Sequence, residues 1–363
     1  MERKRIVVAH LYNNFTGSPK VLADVINALS TANIEVDLHT NKGPGFLDGL
    51  SAINRFHAWY VWHPNKYIRL INFTFSQILL FFSLLRYWRK DVCIYANTIL
   101  PFGAGLAGWI MRKKVIYHVH ETEFQPPLFT KLLLAVIRIS ANKLIFVSKY
   151  LQDFHDFPHI PQEVVYNALP REFMEMIEKY KSQQSSVISQ EKFEVLMMCS
   201  LKKAKGIFEY IELAQKLPEI HFTLIISQQK EQIMHFLGNV SIPKNLSLEA
   251  VKENVHPFYA KTNLLLSLSH PIEWPETFGM TLLEGMSYGI PSIVPPVGAP
   301  LELIREGQEG YHLDMRELGK IEAKIQELKN SPEVMKSLSE QASQRAKDFS
   351  IDVFRNQILR AIA

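Results

Sequence analysis

The amino-acid sequence predicts two α/β domains in succession, each built on a doubly wound parallel sheet. Short runs rich in Val and Ile alternate with longer amphipathic runs, which is typical of parallel strands covered by helices on both faces. This alternation stops at a polar stretch over 182–186 and restarts near residue 194. The length of 363 residues suits two domains of ordinary size.

The apolar runs predict the strands, and the amphipathic runs between them predict the helices. In the first half of the chain the predicted strands are 6–11, 35–40, 92–96, 114–119, 143–148 and 163–167, and the predicted helices are 18–31, 67–88, 102–112, 128–141 and 148–155. In the second half the predicted strands are 194–199, 221–227, 246–251, 264–269 and 291–295, and the closing helices are 316–330, 332–347 and 351–362.

Residues 171–192 break the pattern and end in a polar stretch, so we expect them to form a linker. The first domain is then expected over 1–170 and the second over 193–345. Residues 346–363 are expected to form a C-terminal helix, with packing back on the first domain as one option.

Charge divides along the same boundary. Residues 1–170 carry 18 Lys and Arg against 11 Asp and Glu, whereas residues 171–363 carry 22 against 25. Opposite net charges suggest that the two domains face different partners. The basic excess is strongest over 49–120, where nine basic residues accompany one acid, Asp91. No nucleic-acid recognition motif accompanies it, which disfavours nucleic-acid binding.

Several classes of protein are disfavoured by composition. Two cysteines, Cys93 and Cys199, make a disulfide framework improbable and favour a reducing, cytoplasmic compartment. The first apolar run, 6–11, suits a strand better than a signal-peptide core. The run Ile71–Leu85 falls short of the ~20 residues needed to span a bilayer and contains polar residues, so no transmembrane helix is expected. No Cys/His metal spacing or Asp-x-Asp pair occurs, so we expect no metal and no cofactor.

The strongest motif follows the predicted strand 264–269. Glu276 and Glu284 lie eight residues apart and enclose Phe278 and Gly279, after which the sequence has helical character. Gly279 permits close approach of a ligand to the backbone. The free N–H groups at Gly279, Met280 and Thr281 would point at an anion, and the helix dipole favours negative charge there. The alternative is an ordinary amphipathic helix with surface carboxylates.

A second loop, after strand 194–199, carries Lys202, Lys203 and Lys205 before Gly206. A lysine at the end of a βα loop can pair with a phosphate as a point charge. Lysine-rich loops are also commonly just solvated. The lysine loop therefore indicates a phosphate site only in combination with the Glu276–Glu284 segment.

Four strand ends mark candidate residues in the first domain. Gly17 and Ser18 stand in the turn after the first strand, with Ser18 a candidate helix N-cap. His120 closes strand 114–119, where an imidazole can hydrogen-bond a hydroxyl or act as acid or base. Ser148 and Asn167 each follow a further strand. The turn lacks the Gly-x-Gly-x-x-Gly fingerprint, which counts against a nicotinamide or flavin enzyme.

These segments, in this order, resemble the retaining glycosyltransferases of family 4, whose two Rossmann-like domains face each other across a cleft in the architecture called GT-B. The resemblance covers nearly the whole chain. Its specific part is the Phe-Gly segment inside Glu-x7-Glu. Weaker support comes from the strand-end His and Ser, the interdomain Asn, and the loop residues Gly298, Pro300 and Glu302.

The resemblance implies a role for each matching position. Glu276 would contact hydroxyls of the donor sugar, and Glu284 would hold the ribose of the nucleotide. The turn at 278–281 would bind the diphosphate, with Lys205 pairing its charge and Lys202 supporting it. His120 and the loop at Gly17 would line the reaction centre in an acceptor-binding first domain.

Two departures from the family pattern stand out. Ser200 occupies the place where the family commonly has an Arg that clamps the diphosphate, and Ser cannot supply a bidentate fork. Gly17-Ser18 stands where a Gly-Gly pair is frequent.

The implied function is metal-independent, retaining transfer of a hexose-type sugar from a nucleotide diphosphate to a glycan or lipid-linked acceptor, in cell-surface polysaccharide assembly. A nucleotide-sugar epimerase and a non-catalytic two-lobed sugar-binding protein remain alternatives. Basic and aromatic side chains over 55–90 surround an apolar helix, which suits docking on an anionic membrane, at the inner face of the cell membrane. The competing interpretation is a core helix with ordinary surface charges.

Overall fold

The computed structural model describes residues 5–50, 53–124, 126–184 and 193–363. The chain divides into two compact units. The first unit comprises Met1–Asn167 together with Asp352–Ala363, and the second comprises Ala168–Ile351. Each contains one parallel sheet with helices.

The first unit contains a seven-stranded sheet in the order β3-β2-β1-β4-β5-β6-β7, with every described pairing parallel. Its central strands, β1 and β4, are buried, as the near-continuous Val/Ile runs predict. The strands are β1 Arg5–Ala9, β2 Glu35–Thr40, β3 Ile53–His57, β4 Val92–Asn97, β5 Lys114–Val119, β6 Lys143–Phe146 and β7 Gln162–Val164. The helices are α1 Gly17–Thr31, α2 Lys66–Leu84, α3 Phe102–Ile110, α4 Pro127–Ser140 and α5 Lys149–Phe154.

The second unit contains a six-stranded parallel sheet in the order β10-β9-β8-β11-β12-β13. Its core packs Val195, Leu224 and Ile293 of the sheet against buried helix residues. The strands are β8 Glu194–Cys199, β9 His221–Ile226, β10 Leu246–Glu249, β11 Leu264–Leu266, β12 Ser292–Val294 and β13 Gly310–His312. The helices are α6 Arg171–Gln184, α7 Ile207–Lys216, α8 Lys230–Leu237, α9 His256–Lys261, α10 Met280–Tyr288, α11 Pro300–Leu303, α12 Leu318–Lys329 and α13 Pro332–Ala346.

The predicted linker over 171–192 differs from the structure. Its first part is the helix α6, and the remainder, 185–192, lies outside the described residues. The helix forms because Phe173, Ile177 and Tyr180 recur at helical spacing. Ile177 is buried, and the rings of Phe173 and Tyr180 pack against His256 with centroid distances of 4.4 and 5.6 Å.

A last helix, α14, spans Ile351–Ile362. The first unit takes in this segment from Asp352 onward. Arg360 donates to Glu163 at 2.7 Å, and Lys114 Nζ donates to the carbonyl oxygen of Ile362 at 3.2 Å.

One helix of the described residues is longer than the apolar run in the sequence. Lys66–Tyr87 is long and apolar enough to cross a membrane by length and composition, with a mean hydropathy of 1.7 in its 18-residue window. Those two criteria are weak evidence, because core helices of globular proteins also meet them. The helix matches the one predicted over 67–88, and the polar residues within the apolar run do not end it. The expectation of no transmembrane helix stays a prediction.

Candidate functional site

The loops after β8, β11 and β12 meet at the carboxyl edge of the second sheet, where open α/β folds bind ligands. The backbone N–H of His270 donates to the carbonyl of Ala204 at 2.8 Å, and that of Ala299 donates to the carbonyl of Glu276 at 3.0 Å. Gly206 has φ +76, and a Cβ there would lie 2.4 Å from the carbonyl oxygen of Leu268. This close approach requires glycine and brings the lysine loop against the carboxylate loop.

Lys205 and Glu276, predicted separately from sequence, contact each other in the structure. Lys205 Nζ forms an ion pair with Glu276 Oε1, and the hydroxyl of Ser269 donates to the same oxygen at 2.5 Å. The side chains are 12% and 21% exposed, so the pair lies near the surface without being fully solvated. The carboxylate is thereby oriented by two donors. The only sequence signal for Ser269 is its place after β11.

Two lysines flank one aromatic ring in this loop cluster. Lys202 Nζ lies 3.3 Å from the ring centroid of Trp274, and Lys205 Nζ lies 5.6 Å from it. Burial and then the charge of Lys205 lower the pKa of Lys202, while Glu276 opposes them. The arrangement concentrates positive charge beside a planar apolar surface.

Helix α10 begins at this cluster and presents its N-terminus. Gly279 is the N-cap with φ +111, and a Cβ there would lie 2.9 Å from the Leu282 side chain. The backbone N–H groups of Met280 and Thr281 open the helix, where the geometry offers no acceptor within the helix itself. The turn therefore combines donor groups with the positive end of the helix dipole.

Phe278 has a different role from the one predicted. Its side chain is buried, and its ring packs edge-on against Phe349 with 6.4 Å between centroids. The ring anchors the turn in the core because an aromatic side chain gains more from burial than from exposure at a polar site. A ligand contact by the Phe278 ring is thus not supported.

Glu284 is buried and held by a residue that the sequence did not indicate. Tyr259 donates its hydroxyl to Glu284 Oε2 at 2.8 Å, and its ring stacks on Tyr288 with 5.6 Å between centroids. Burial and the neighbouring carboxylate raise the pKa of Tyr259, so the phenol stays protonated and acts as a donor. Tyr259 lies on α9, 25 residues from Glu284, and no local motif connects the two.

In the first unit, Asn97 at the end of β4 determines the tautomer of His120. Asn97 Nδ2 donates to the carbonyl oxygen of Ser18 at 3.2 Å, so the amide oxygen is the atom that faces His120 Nε2, at 3.1 Å. Because an amide oxygen only accepts, His120 Nε2 carries the proton and Nδ1 is the acceptor of the neutral ring. Asn97 is not among the predicted site residues, although a polar residue at the end of a buried strand is a signal in the sequence.

Two further histidines surround His120. His118 is buried, its Nδ1 lies 2.7 Å from the hydroxyl of Tyr95, and its ring lies 4.3 Å from that of His120. Burial lowers the pKa of His118 to about 3 and that of His10 to about 4. Burial, followed by these two neighbours, also lowers the pKa of His120 well below its usual value. All three rings are therefore neutral at pH 7.

Glu121 follows His120 in the sequence, and burial shifts its pKa upward instead of downward. Burial raises the pKa of its carboxyl to about 7, against the opposing effect of nearby backbone N–H groups. Within the described part of the chain its Oε2 has no hydrogen-bond partner. This carboxyl titrates near neutral pH beside the candidate imidazole.

The remaining predicted residues of the first unit have mixed roles. Ser148 is fully buried and caps α5 by accepting from the N–H of Leu151 at 3.1 Å, so helix capping explains its presence. Ser18 is not an N-cap, because α1 begins at Gly17 and Thr16 precedes it. The space around Gly17 is open, so a side chain would fit there and steric crowding does not require glycine at this position.

Asn167 is buried, and its Oδ1 is unpartnered among the residues described. In the described ranges, no group of three or more His, Cys, Asp or Glu side chains is placed to hold a metal ion.

Comparison with known proteins matches both halves of the chain. Residues 15–173 match the model of Glycosyltransferase Family 4, and residues 178–345 match the model of Glycosyl transferases group 1. Among curated proteins, N-acetyl-alpha-D-glucosaminyl L-malate synthase of Bacillus anthracis is 22% identical over 60% of this chain. That match covers 53% of the relative, so the chain matches about half its length.

Solved structures match over nearly the full chain. Anabaena HepE in complex with UDP and glucose has a TM-score of 0.77 at 17% identity, covering 99% of both chains. Sucrose-phosphate synthase from Thermosynechococcus elongatus has a TM-score of 0.80 at 15% identity, covering 99% of this chain and 98% of the other. Likeness at these identities establishes the fold, which is the two-domain GT-B fold that the sequence predicted.

Proposed function

We propose that this chain, a glycosyltransferase of the GT-B type by its fold and its two family matches, transfers a hexose-type sugar from a nucleotide diphosphate to a glycan or lipid-linked acceptor with retention of configuration. The observation that carries the proposal is the cluster of Lys205, Glu276 and the N-terminus of α10 at one sheet edge.

The diphosphate leaves with growing negative charge while positive charge develops on the sugar. Stabilisation of the leaving group is then the main catalytic requirement. Lys205 and Lys202 supply point charges, and the N–H groups of Met280 and Thr281 supply donors that need no reorganisation. We propose that these groups act without a metal ion. The two lysines then supply the charge of the Arg that the family commonly has at the position of Ser200.

The two carboxylates take the sugar and the nucleoside. Glu276, oriented by Ser269, accepts hydrogen bonds from hydroxyls of the donor sugar. Glu284, fixed by Tyr259, accepts from the ribose hydroxyls. Carboxylates held in place by other donors lose little conformational entropy on binding, which favours affinity.

In the first unit we assign the acceptor side to His120. Its neutral ring offers Nδ1 as a hydrogen-bond acceptor, a state fixed by Asn97 and by the low pKa. Such a nitrogen accepts a hydrogen bond from an acceptor hydroxyl and is unprotonated at neutral pH. The role in cell-surface polysaccharide assembly belongs to the same proposal.

The test combines binding and product analysis. A panel of UDP-, GDP-, ADP- and dTDP-sugars is screened for a rise in melting temperature, since a ligand of the folded state stabilises it. The stabilising donor is then incubated with acceptor extracts, with and without EDTA. Transfer that persists in EDTA is expected. Epimerisation of the donor, or binding without turnover, would contradict the proposal.

Variants distinguish the site from its surroundings. Lys205→Ala and Glu284→Ala are expected to lose donor turnover by about 100-fold or more, because each removes a charged contact. Lys203→Ala is the matched control, since Lys203 is exposed in the same loop and should retain activity. Wild-type rates in both site variants would exclude this assignment.

A further inference from the structure

We propose that the outer face of α2, α3 and α4 in the first unit is a docking surface for an anionic lipid bilayer, on which the protein lies without spanning it. This proposal goes beyond sugar transfer and does not depend on which donor is used. It rests on the placement of the three helices, on an exposed apolar stripe along α2, and on the charge at one end.

The three helices lie side by side on one face of the sheet. They connect β3 to β4, β4 to β5 and β5 to β6, which are successive steps in one direction along the sheet order. Right-handed crossovers place such helices on the same face. Ring contacts join them: Phe73 on α2 lies 5.8 Å from Phe102 on α3 and 5.2 Å from Phe129 on α4.

Helix α2 buries two polar residues beside Phe73, Leu80 and Leu84, and it exposes a long stripe of apolar residues. Ser76 and Gln77 are buried, and Gln77 Oε1 accepts from the backbone N–H of Gly103 at 3.2 Å. On the opposite side an exposed stripe runs the length of the helix at i, i+4 spacing. Its members are Tyr67, Ile68, Leu70, Ile71, Phe75, Ile78, Leu79 and Phe82. Only 28% of the apolar window is buried, which is the reverse of a core helix.

The neighbouring helix extends the apolar surface. On α4, Leu128, Leu132 and Ile139 are 77%, 52% and 53% exposed, at helical spacing. The α4 segment contains no acidic residue, and Lys131 and Arg138 are its basic residues. Exposed apolar area of this extent on one side is typical of an interaction surface.

Aromatic and basic residues border the apolar stripe. Trp59 packs on Phe75, in the middle of α2, with 5.3 Å between centroids. Near the start of α2, Arg69 lies over Trp62 at 5.7 Å. At the other end, Trp88 is exposed beside basic side chains.

The basic groups come from two helices. Arg86, Arg89 and Lys90 lie at the C-terminal end of α2, and Arg112 and Lys113 follow α3. Lys113 Nζ donates to the carbonyl of Lys90 at 2.6 Å, which shows that the two ends lie together. Tryptophan and basic residues around an apolar face match the headgroup region of an anionic membrane.

Charge and packing favour this occupant over two others. A second copy would bring the same basic groups against each other, which opposes pairing through this face. A spanning helix would have to leave the unit, breaking the Gln77 hydrogen bond to α3 and exposing Phe73 and Leu84, which are buried. A peripheral position uses the outer stripe and keeps the inner one packed.

Vesicle flotation tests the proposal with the full chain. We expect the protein to float at least about ten-fold more with phosphatidylcholine vesicles containing phosphatidylglycerol than with phosphatidylcholine alone. The variant Ile71→Ser/Phe75→Ser/Phe82→Ser removes three exposed apolar side chains and is expected to lower binding about ten-fold or more. Arg86→Glu/Arg89→Glu/Lys90→Glu is expected to abolish the preference for the anionic lipid.

A matched control replaces three exposed apolar residues of the second unit, Met234, Val251 and Val334, by Ser and should float like wild type. Unchanged melting temperature and donor-induced stabilisation would show that the variants are folded. These readouts also separate a failure of this proposal from a failure of the donor site. Wild-type flotation of both test variants would refute the proposal. Resistance to carbonate extraction, or a vesicle-independent dimer lost in the serine variant, would also refute it.

Discussion

Replacement of Glu121 by Gln tests whether a buried carboxyl titrates near neutral pH beside His120. Burial raises the pKa of this carboxyl to about 7, whereas the ordinary value is 4.5. A raised pKa means that the folded state binds a proton more tightly than the unfolded chain. The stabilising contribution is therefore complete below pH 4.5 and is lost as the pH rises to about 7.

The size of the effect follows from the two pKa values. Each pH unit between them corresponds to about 1.4 kcal/mol, so ionising Glu121 costs the first unit about 3 kcal/mol between pH 4.5 and 7. Gln carries no charge, so Glu121→Gln should gain stability relative to wild type across this window. The lost contacts of the carboxylate add an offset that does not vary with pH, and the slope alone identifies the ionisation.

Urea unfolding at several pH values, followed by tryptophan fluorescence, measures this difference. Four of the five tryptophans lie in the first unit and the fifth is Trp274, so the signal reports mainly the unit that contains Glu121. Glu123→Gln is the control, because Glu123 is exposed two residues away. A difference between wild type and Glu121→Gln that stays constant from pH 4.5 to 8 would refute the buried ionisation.

Three other substitutions test the contacts around the candidate site. Asn97→Ala frees the tautomer of His120 and should lower kcat about ten-fold while donor KM stays unchanged, as steady-state kinetics would show. Tyr259→Phe removes the hydroxyl that donates to Glu284, which should lower the free energy of unfolding by about 1–3 kcal/mol. The variant should therefore have a higher donor KM and a lower melting temperature. Gly279→Ala forces a side chain into φ +111 and should destabilise the turn by about 1–2 kcal/mol, with weaker donor-induced stabilisation; unchanged thermal shifts would contradict this.

The sequence was sufficient to predict the central strands of both sheets, but two of the four edge strands, β3 and β13, were not predicted. A buried strand such as β4 is a nearly continuous apolar run and is therefore easily predicted. β3 is half-exposed, and its sequence Ile-Asn-Arg-Phe-His contains no such run. The segment of β13, Gly310–His312, is not among the predicted strands, since a glycine is more typical of a turn. The glycine is instead needed for close strand approach, since a Cβ there would lie 1.8 Å from the carbonyl oxygen of Ser292.

The site shows the same limit. Glu276 and Gly279 could be proposed because their signal lies within one continuous segment. Tyr259 could not, because its hydroxyl acts on Glu284 of a different helix. Ser269 and Asn97 have a weaker signal, since each is a polar residue at or just after the end of a buried strand. Ser148 shows the converse: its position fits a motif, but its hydroxyl caps a helix.

Net charge and local charge lead to different salt dependences for the two proposed interactions. The second unit is net acidic, yet the proposed diphosphate site holds Lys202 and Lys205 within a few ångströms of Trp274 and beside a helix N-terminus. Contacts at that range are much shorter than the Debye length of ~8 Å at 0.15 M salt and are partly desolvated, so screening affects them weakly.

The basic groups at the end of α2 are solvent-exposed and act on a membrane at longer range, where screening is strong. Raising NaCl from 0.05 to 0.5 M should therefore lower binding to anionic vesicles about ten-fold or more while changing donor affinity only about two- to three-fold. Equal losses would mean that both interactions depend on the same long-range field, and the separation of a basic docking face from a locally built donor site would be wrong.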